Sequence, residues 1–143
     1  MTINRTTGLT NITSYDVFGA DSGQGNAETL TTYLTGLSSD VIVIVATFDE
    51  PRNATGAPLP ADLITQMKRC GASSDFGSST GSPAGIIYYR SSYLLVGIPG
   101  IGVGNGIQRY VGQNNITYPA GDPNAFIDLR ISVLNGQYTV ISG

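Results

Sequence analysis

Residues 41–48 read VIVIVATF, and this stretch decides the fold that the sequence predicts. Its side chains are apolar on both alternating faces and mostly β-branched, which is typical of a strand covered on both sides. The charged residues Asp49 and Glu50 and then Pro51 end the stretch abruptly. We therefore predict a central strand over residues 41–48.

Two helices are predicted on either side of this strand. Asn26 can cap a helix over about residues 26–37, in which the apolar side chains recur at helical spacing, namely Leu30, Tyr33, Leu34 and Leu37. A second helix is predicted over about residues 60–70, beginning near Pro60 and ending at Gly71. Its predicted buried face consists of Leu63, Ile64, Met67 and Cys70.

The remaining segments favour strands and turns. Residues 2–18 predict an edge hairpin around Thr7-Gly8, and residues 86–89 and 93–98 predict two further strands. The tail over residues 125–142 predicts a hairpin with a type I′ turn at Asn135-Gly136. Alternation places four of its side chains on one face, namely Ile127, Leu129, Ile131 and Val133.

The order of these elements predicts the fold class. Strands that alternate with helices favour an α/β domain, here a two- or three-layer sandwich with a mixed sheet, two main helices and a C-terminal β-hairpin. A chain of 143 residues suits one hydrophobic core. We predict a single domain over residues 1–143, in which residues 112–143 form a C-terminal extension.

Composition excludes several classes of function. The net charge is −3 and the seven basic residues are scattered, so a nucleic-acid interface is not expected. The longest apolar run, residues 41–48, is far shorter than the roughly 20 residues that span a bilayer, so membrane insertion is not expected either. Charged residues make up only 12% of a chain rich in Gly, Ser, Thr and Asn, which suits an extracellular or virion protein.

Catalysis is not expected. The chain has no histidine and only one cysteine, Cys70, which excludes an intrachain disulfide, a Cys/His zinc site and histidine-activated nucleophiles. Asp49 and Glu50 are adjacent, and neighbouring side chains of an extended chain point apart. We predict a protein that is not an enzyme and holds no cofactor or metal, with Cys70 as a buried apolar side chain.

The glycines of residues 99–106, PGIGVGNG, invite comparison with a phosphate-binding loop. The Lys-Ser/Thr pair that a P-loop needs does not follow, and the strand-to-helix spacing of a dinucleotide fingerprint is missing. We therefore expect a flexible loop here.

Candidate binding residues follow from position. Asp49 lies just past the central strand, where open α/β sheets tend to bind ligands, and its carboxylate can accept hydrogen bonds from sugar hydroxyls or from nearby backbone amides. Arg90 lies between two apolar segments and needs a partner, so it forms either a structural salt bridge with Asp49 or part of a binding site with it. Tyr93 is a candidate aromatic platform for a sugar, although alternation predicts that some of the nearby tyrosines are core. Asp16 is either a turn residue or a further ligand contact.

Four blocks of the chain, in order, resemble the interleukin-like EMT inducer domain, also called PANDER-like. They cover roughly residues 1–112, and Tyr93 and Ser91 stand where the family has a tryptophan and an acidic residue. The blocks comprise residues 7–8 with 14–18, residues 34–37 with 41–50, residues 67–72, and residues 89–97 with Gly100.

The resemblance implies a binding function. Members include secreted signalling proteins, similar domains occur in phage tail proteins, and a sugar-binding member uses an aspartate and an arginine that match Asp49 and Arg90. The expected function is a non-catalytic module that recognises carbohydrate or a host-surface receptor as part of a phage tail or other extracellular assembly. The expected carbohydrate-binding residues are Asp49, Arg90, Tyr93 and Asp16. A secreted cytokine-like domain and a structural domain that contacts other subunits remain alternatives.

Overall fold

The computed structural model describes residues 1–17, 23–47, 59–77, 92–111, 117–118 and 127–142. Within them a six-stranded sheet has the order β2-β1-β3-β4-β5-β6. Its strands are β1 (Thr2–Asn4), β2 (Thr10–Asn11), β3 (Val41–Ala46), β4 (Ser92–Gly97), β5 (Ile107–Val111) and β6 (Thr117–Tyr118). We expected a mixed sheet, and every pairing between these described strands is antiparallel.

The two helices are α1 (Gly23–Thr35) and α2 (Ala61–Arg69). The prediction that Asn26 caps α1 is wrong, because the helix begins three residues earlier and Asn26 lies inside its first turns. α2 begins and ends as predicted. Gly71 adopts the left-handed conformation (φ 104°), and two hydrogen bonds, from Gly71 N–H to Lys68 O and from Ala72 N–H to Met67 O, close a Schellman motif.

The C-terminal hairpin joins β7 (Arg130–Leu134) and β8 (Gln137–Ser142). Asn135 and Gly136 both have positive φ, 51° and 75°, which confirms the predicted type I′ turn. The hairpin forms a sheet of its own. Of the four side chains predicted on one face, Ile127, Leu129 and Ile131 pack on the core, whereas Val133 is 58% exposed near the tip of the hairpin.

Three layers enclose two apolar cores. On one face of the sheet, Val43 of β3 packs with buried residues of both helices. On the other face, Ile42 packs with Ile3 and Val96 beneath apolar side chains of the hairpin layer. Helices, six-stranded sheet and hairpin therefore form a three-layer α/β sandwich with two main helices and a C-terminal hairpin, as predicted, and β3 is covered on both faces.

Residues 73–85 are rich in glycine and serine and lack periodicity, which predicts a mobile or surface loop, and in the described part of this loop Ser74 and Asp75 are exposed but Phe76 is buried. Phe76 N–H donates to Ser73 O at 3.1 Å in a tight turn, and the Phe76 ring is 2% exposed within the helix-side core. Gly77 lies against Ile64 of α2, where a β-carbon would clash with that side chain. The rest of the predicted loop and the predicted strand at residues 86–89 lie outside the described residues.

Candidate functional site

The end of β3 and the beginning of β4 lie side by side at one end of the sheet. Ala46 pairs with Leu94 in the antiparallel register. One step further, Thr47 N–H donates to Tyr93 O at 3.0 Å, and Tyr93 N–H donates to the Thr47 side-chain oxygen at 2.8 Å. These bonds fix the two chain segments together where one leaves the sheet and the other enters it.

Tyr93 was expected to offer its ring to a sugar, and the structure places it in the core instead. The side chain is 1% exposed, and its ring lies 5.1 Å from the Phe76 ring, centroid to centroid, at an interplanar angle of 49°. Burial raises the pKa of the phenol well above its usual range, with smaller contributions from Cys70 and Tyr110. A ring enclosed in this way packs against its neighbours and has no free face for a ligand.

Gln108 of β5 is the polar partner of Tyr93, and sequence reasoning missed it. The Tyr93 hydroxyl donates to Gln108 Oε1 at 3.2 Å, and Ser73 N–H donates to the same oxygen at 3.3 Å. Gln108 is 9% exposed, so both bonds are sheltered from water. The signal was present in the alternation of residues 107–111, where Gln108 and Tyr110 occupy the inward positions, but we assigned no strand there.

Asp16 lies on the helix side of the domain. Its side chain is exposed and has an interaction partner. The neighbouring Val17 packs against the helix-side core. The Tyr15 ring lies 6.0 Å from the ring of Tyr33 on α1. Asp16 is thus held at the surface by apolar neighbours on both sides.

The glycine-rich segment at residues 99–106 is bonded to the end of α2. Gly100 N–H donates to Arg69 O at 2.9 Å, Gly104 N–H to Ala72 O at 2.8 Å, and Gly106 N–H to Gly71 O at 2.9 Å. A phosphate-binding loop needs backbone N–H groups that point at the ligand. Here three such donors satisfy helix-end carbonyls instead, so the segment joins β4 and β5 to α2 and is more ordered than the flexible loop we expected.

Among the described residues, no group of three or more His, Cys, Asp or Glu side chains comes together in a way that could hold a metal ion. In the same part of the chain no helix is long and apolar enough to cross a membrane. Cys70 is fully buried as predicted, and burial raises the pKa of its thiol, opposed in part by the positive charge of Arg69.

Comparison with protein families matches residues 1–101 to the model of the interleukin-like EMT inducer domain. The chain belongs to this family. The matched residues include β1 to β4 and both helices, and therefore the whole helix-side layer. No curated protein matches the chain significantly.

The interleukin-like EMT inducer match also covers the two residues on which the sugar-binding hypothesis depends. Asp49 and Arg90 lie outside the described residues, as do Tyr88 and Tyr89, so their predicted contact stays a prediction. The described residues that flank the pair are Thr47 and Ser92, at the joined ends of β3 and β4.

Proposed function

We propose that this interleukin-like EMT inducer domain is a non-catalytic extracellular module that binds carbohydrate at the end of the sheet where β3 ends and β4 begins. Family membership supports a cytokine-like or other binding module and fits an extracellular location, since the family is associated with secreted proteins.

The observation that carries the proposal is the pair of hydrogen bonds between Thr47 and Tyr93. Asp49 follows Thr47 by two residues, and Arg90 precedes Tyr93 by three residues. The two bonds therefore hold together the chain segments next to Asp49 and Arg90. A carboxylate accepts and a guanidinium donates, so the two groups together match the mixed donors and acceptors of sugar hydroxyls. Tyr93 contributes from beneath, by anchoring the start of β4 in the core.

The test is a glycan array probed with four charge-neutralising variants. Asp49→Asn and Arg90→Gln should each reduce the signal at least about tenfold, since a lost hydrogen bond to a charged group costs roughly 1.5–3 kcal/mol. The matched controls are Asp128→Asn and Arg130→Gln, whose side chains are exposed in the hairpin layer. They should bind like the wild type.

Melting temperatures separate a binding role from a structural one. Variants that lose glycan signal with unchanged melting support the site. A wild type that binds no glycan on the array contradicts the proposal, and so does equal binding by all four variants. Asp16→Asn, measured in parallel, shows whether that exposed carboxylate belongs to the same site.

We also propose that the domain is displayed on a larger extracellular assembly such as a phage tail. The low proportion of charged residues, 12%, supports a location on an extracellular assembly. Mass spectrometry of purified particles tests the proposal, and finding the parent protein only as a free secreted chain would favour the cytokine-like alternative instead.

A further inference from the structure

The outer edge of β2, a strand of two residues, is exposed. β2 lies at one end of the sheet order, and its described partner is β1. Residues 9–14, LTNITS, are all exposed, with Leu9 72% and Ile12 76% accessible. Proteins commonly protect such edges with charged residues or proline, and this run contains neither.

The hydrogen bonds of β2 show which backbone groups face outward. Asn4 N–H donates to Leu9 O at 2.8 Å, and Asn11 pairs with Thr2, so Leu9 and Asn11 direct their backbone groups toward β1. In an antiparallel ladder alternate residues point their N–H and C=O to opposite sides. Thr10 therefore presents these groups to the outer side, where no described residue bonds to them, and Ile12, the residue after β2, would do the same if pairing extends the strand by one residue.

We propose that this edge pairs with the same edge of a second copy of the chain, in an antiparallel two-fold arrangement. Outward-facing residues must meet each other across such a pair, and the register we propose places Thr10 opposite Ile12 of the second copy and Asn11 opposite itself on the axis. Like charges directly opposite each other destabilise a strand pair. The uncharged run 9–14 satisfies the condition that self-pairing imposes near the axis, where each residue meets its own copy or a close neighbour.

The pairing also covers the two exposed apolar side chains. In this register Leu9 lies opposite Thr13 of the second copy, and the two Ile12 side chains are diagonal neighbours on the other face. The paired edge is short, so the buried area falls below the roughly 1,200 Å² of a stable interface. The dimer is accordingly weak and depends on protein concentration. This inference does not rest on the proposed sugar site.

The test is sedimentation of the full chain from about 10 μM to about 1 mM, a range that resolves weak dimers. The wild type should shift from monomer toward dimer. Ile12→Lys places two like charges near the axis, and Thr10→Pro removes an outward N–H. Each should raise the dissociation constant at least about tenfold. Val133→Lys is the matched control, because Val133 is similarly exposed on the hairpin and lies outside the paired edge.

Each outcome decides the proposal. Circular dichroism establishes that the variants are folded, and Ile12→Lys keeps the test valid if Thr10→Pro disturbs β2. A wild type that stays monomeric throughout contradicts self-pairing. A dimer that both edge variants retain uses another surface, and open-ended growth into larger species contradicts the closed two-fold arrangement.

Discussion

The α-carbon of Gly97 lies directly against the backbone carbonyl of Cys70, so closely that a β-carbon on Gly97 would overlap the carbonyl oxygen. Gly97 is the last residue of β4, and Cys70 is the C-cap residue of α2. The contact joins the central sheet to the second helix through backbone atoms alone. No rotamer change can relieve an overlap of this kind.

Gly97→Ala should therefore destabilise the domain by at least about 3 kcal/mol, or prevent folding, because even ordinary overpacking of a core costs about 1–3 kcal/mol. Urea denaturation measures the change. Gly36→Ala is the matched control, since the nearest atom to its added methyl is Tyr33 O at 3.6 Å, an ordinary contact distance. Its stability should stay within about 0.5 kcal/mol of wild type. Equal effects of the two substitutions would show that the close approach at Gly97 does not constrain the fold.

The layers of the fold were predictable because they depend on periodicity. The apolar alternation of residues 41–48 identified β3, and the Asn135-Gly136 pair identified the hairpin turn, because few residues tolerate two successive positive φ angles. Each of these patterns predicts a structure from neighbouring residues alone. They explain why the α/β class and both helices were correct.

Contacts between distant segments were not predictable from local patterns. The alternation of residues 107–111 indicates that Gln108 faces inward, but it does not indicate that Gln108 meets Tyr93 of the neighbouring strand, and the Gly97–Cys70 contact depends on how α2 docks. Tyr93 was misassigned for a related reason. Alternation indicates that a residue is on one face, but it does not indicate which layer covers that face.

Arg69 provides the second prediction, because its guanidinium ties α2 to the end of α1. Nη1 donates to Leu34 O and to Gln66 Oε1, both at 3.0 Å, and Nη2 donates to Leu37 O. Arg69→Ala should lower the free energy of unfolding by about 1–3 kcal/mol, since partly buried carbonyls lose their donor. Arg69→Lys should recover only part of this loss, because an ammonium cannot reproduce the planar fork.

The neighbouring Lys68 is the control for the Arg69 series. Both side chains are basic and lie in the last turn of α2, so both interact with the same helix end. Lys68→Ala should change the stability by no more than about 0.5 kcal/mol. If chemical denaturation gives the two alanine variants the same stability, the hydrogen bonds of Arg69 do not stabilise the helix pair.

The third prediction concerns the buried bond between Tyr93 and Gln108. Tyr93→Phe and Gln108→Leu should each destabilise the domain, and the double variant should lose less than the sum, with a coupling of about 0.5–1.5 kcal/mol. Tyr93→Phe removes one donor from Gln108 Oε1, and Gln108→Leu leaves the Tyr93 hydroxyl and the Ser73 N–H without this acceptor. A double-mutant cycle measured by urea denaturation gives the coupling.

Tyr15→Phe is the control for the tyrosine change, since the Tyr15 ring lies near the surface beside Tyr33. It should leave the stability nearly unchanged and should not couple to Gln108→Leu. Additive losses for Tyr93 and Gln108 would mean that their bond contributes nothing beyond packing.

The last prediction is a loss of stability at alkaline pH, driven by Cys70 and Tyr93. Burial raises the pKa of the thiol above its ordinary 9.0 and the pKa of the phenol above its ordinary 10.0. A raised pKa in the folded state means that the unfolded chain releases its proton first. The stabilising contribution is therefore complete below the ordinary pKa of each group and is lost as the pH rises through and beyond it.

Burial lowers the pKa of the Met1 amino group below its ordinary 8.0, so urea midpoints are compared from about pH 8.5 to about pH 11, where they should fall first through the thiol and then through the phenol. The chain has no histidine, so no imidazole titrates in this range. Cys70→Ser should remove the first step and Tyr93→Phe the second, whatever each substitution does to stability at neutral pH. Since the comparison uses slopes and not absolute stabilities, packing losses cancel. A wild type and a Cys70→Ser variant with the same slope between about pH 9 and about pH 10 would show that the thiol titrates equally in both states.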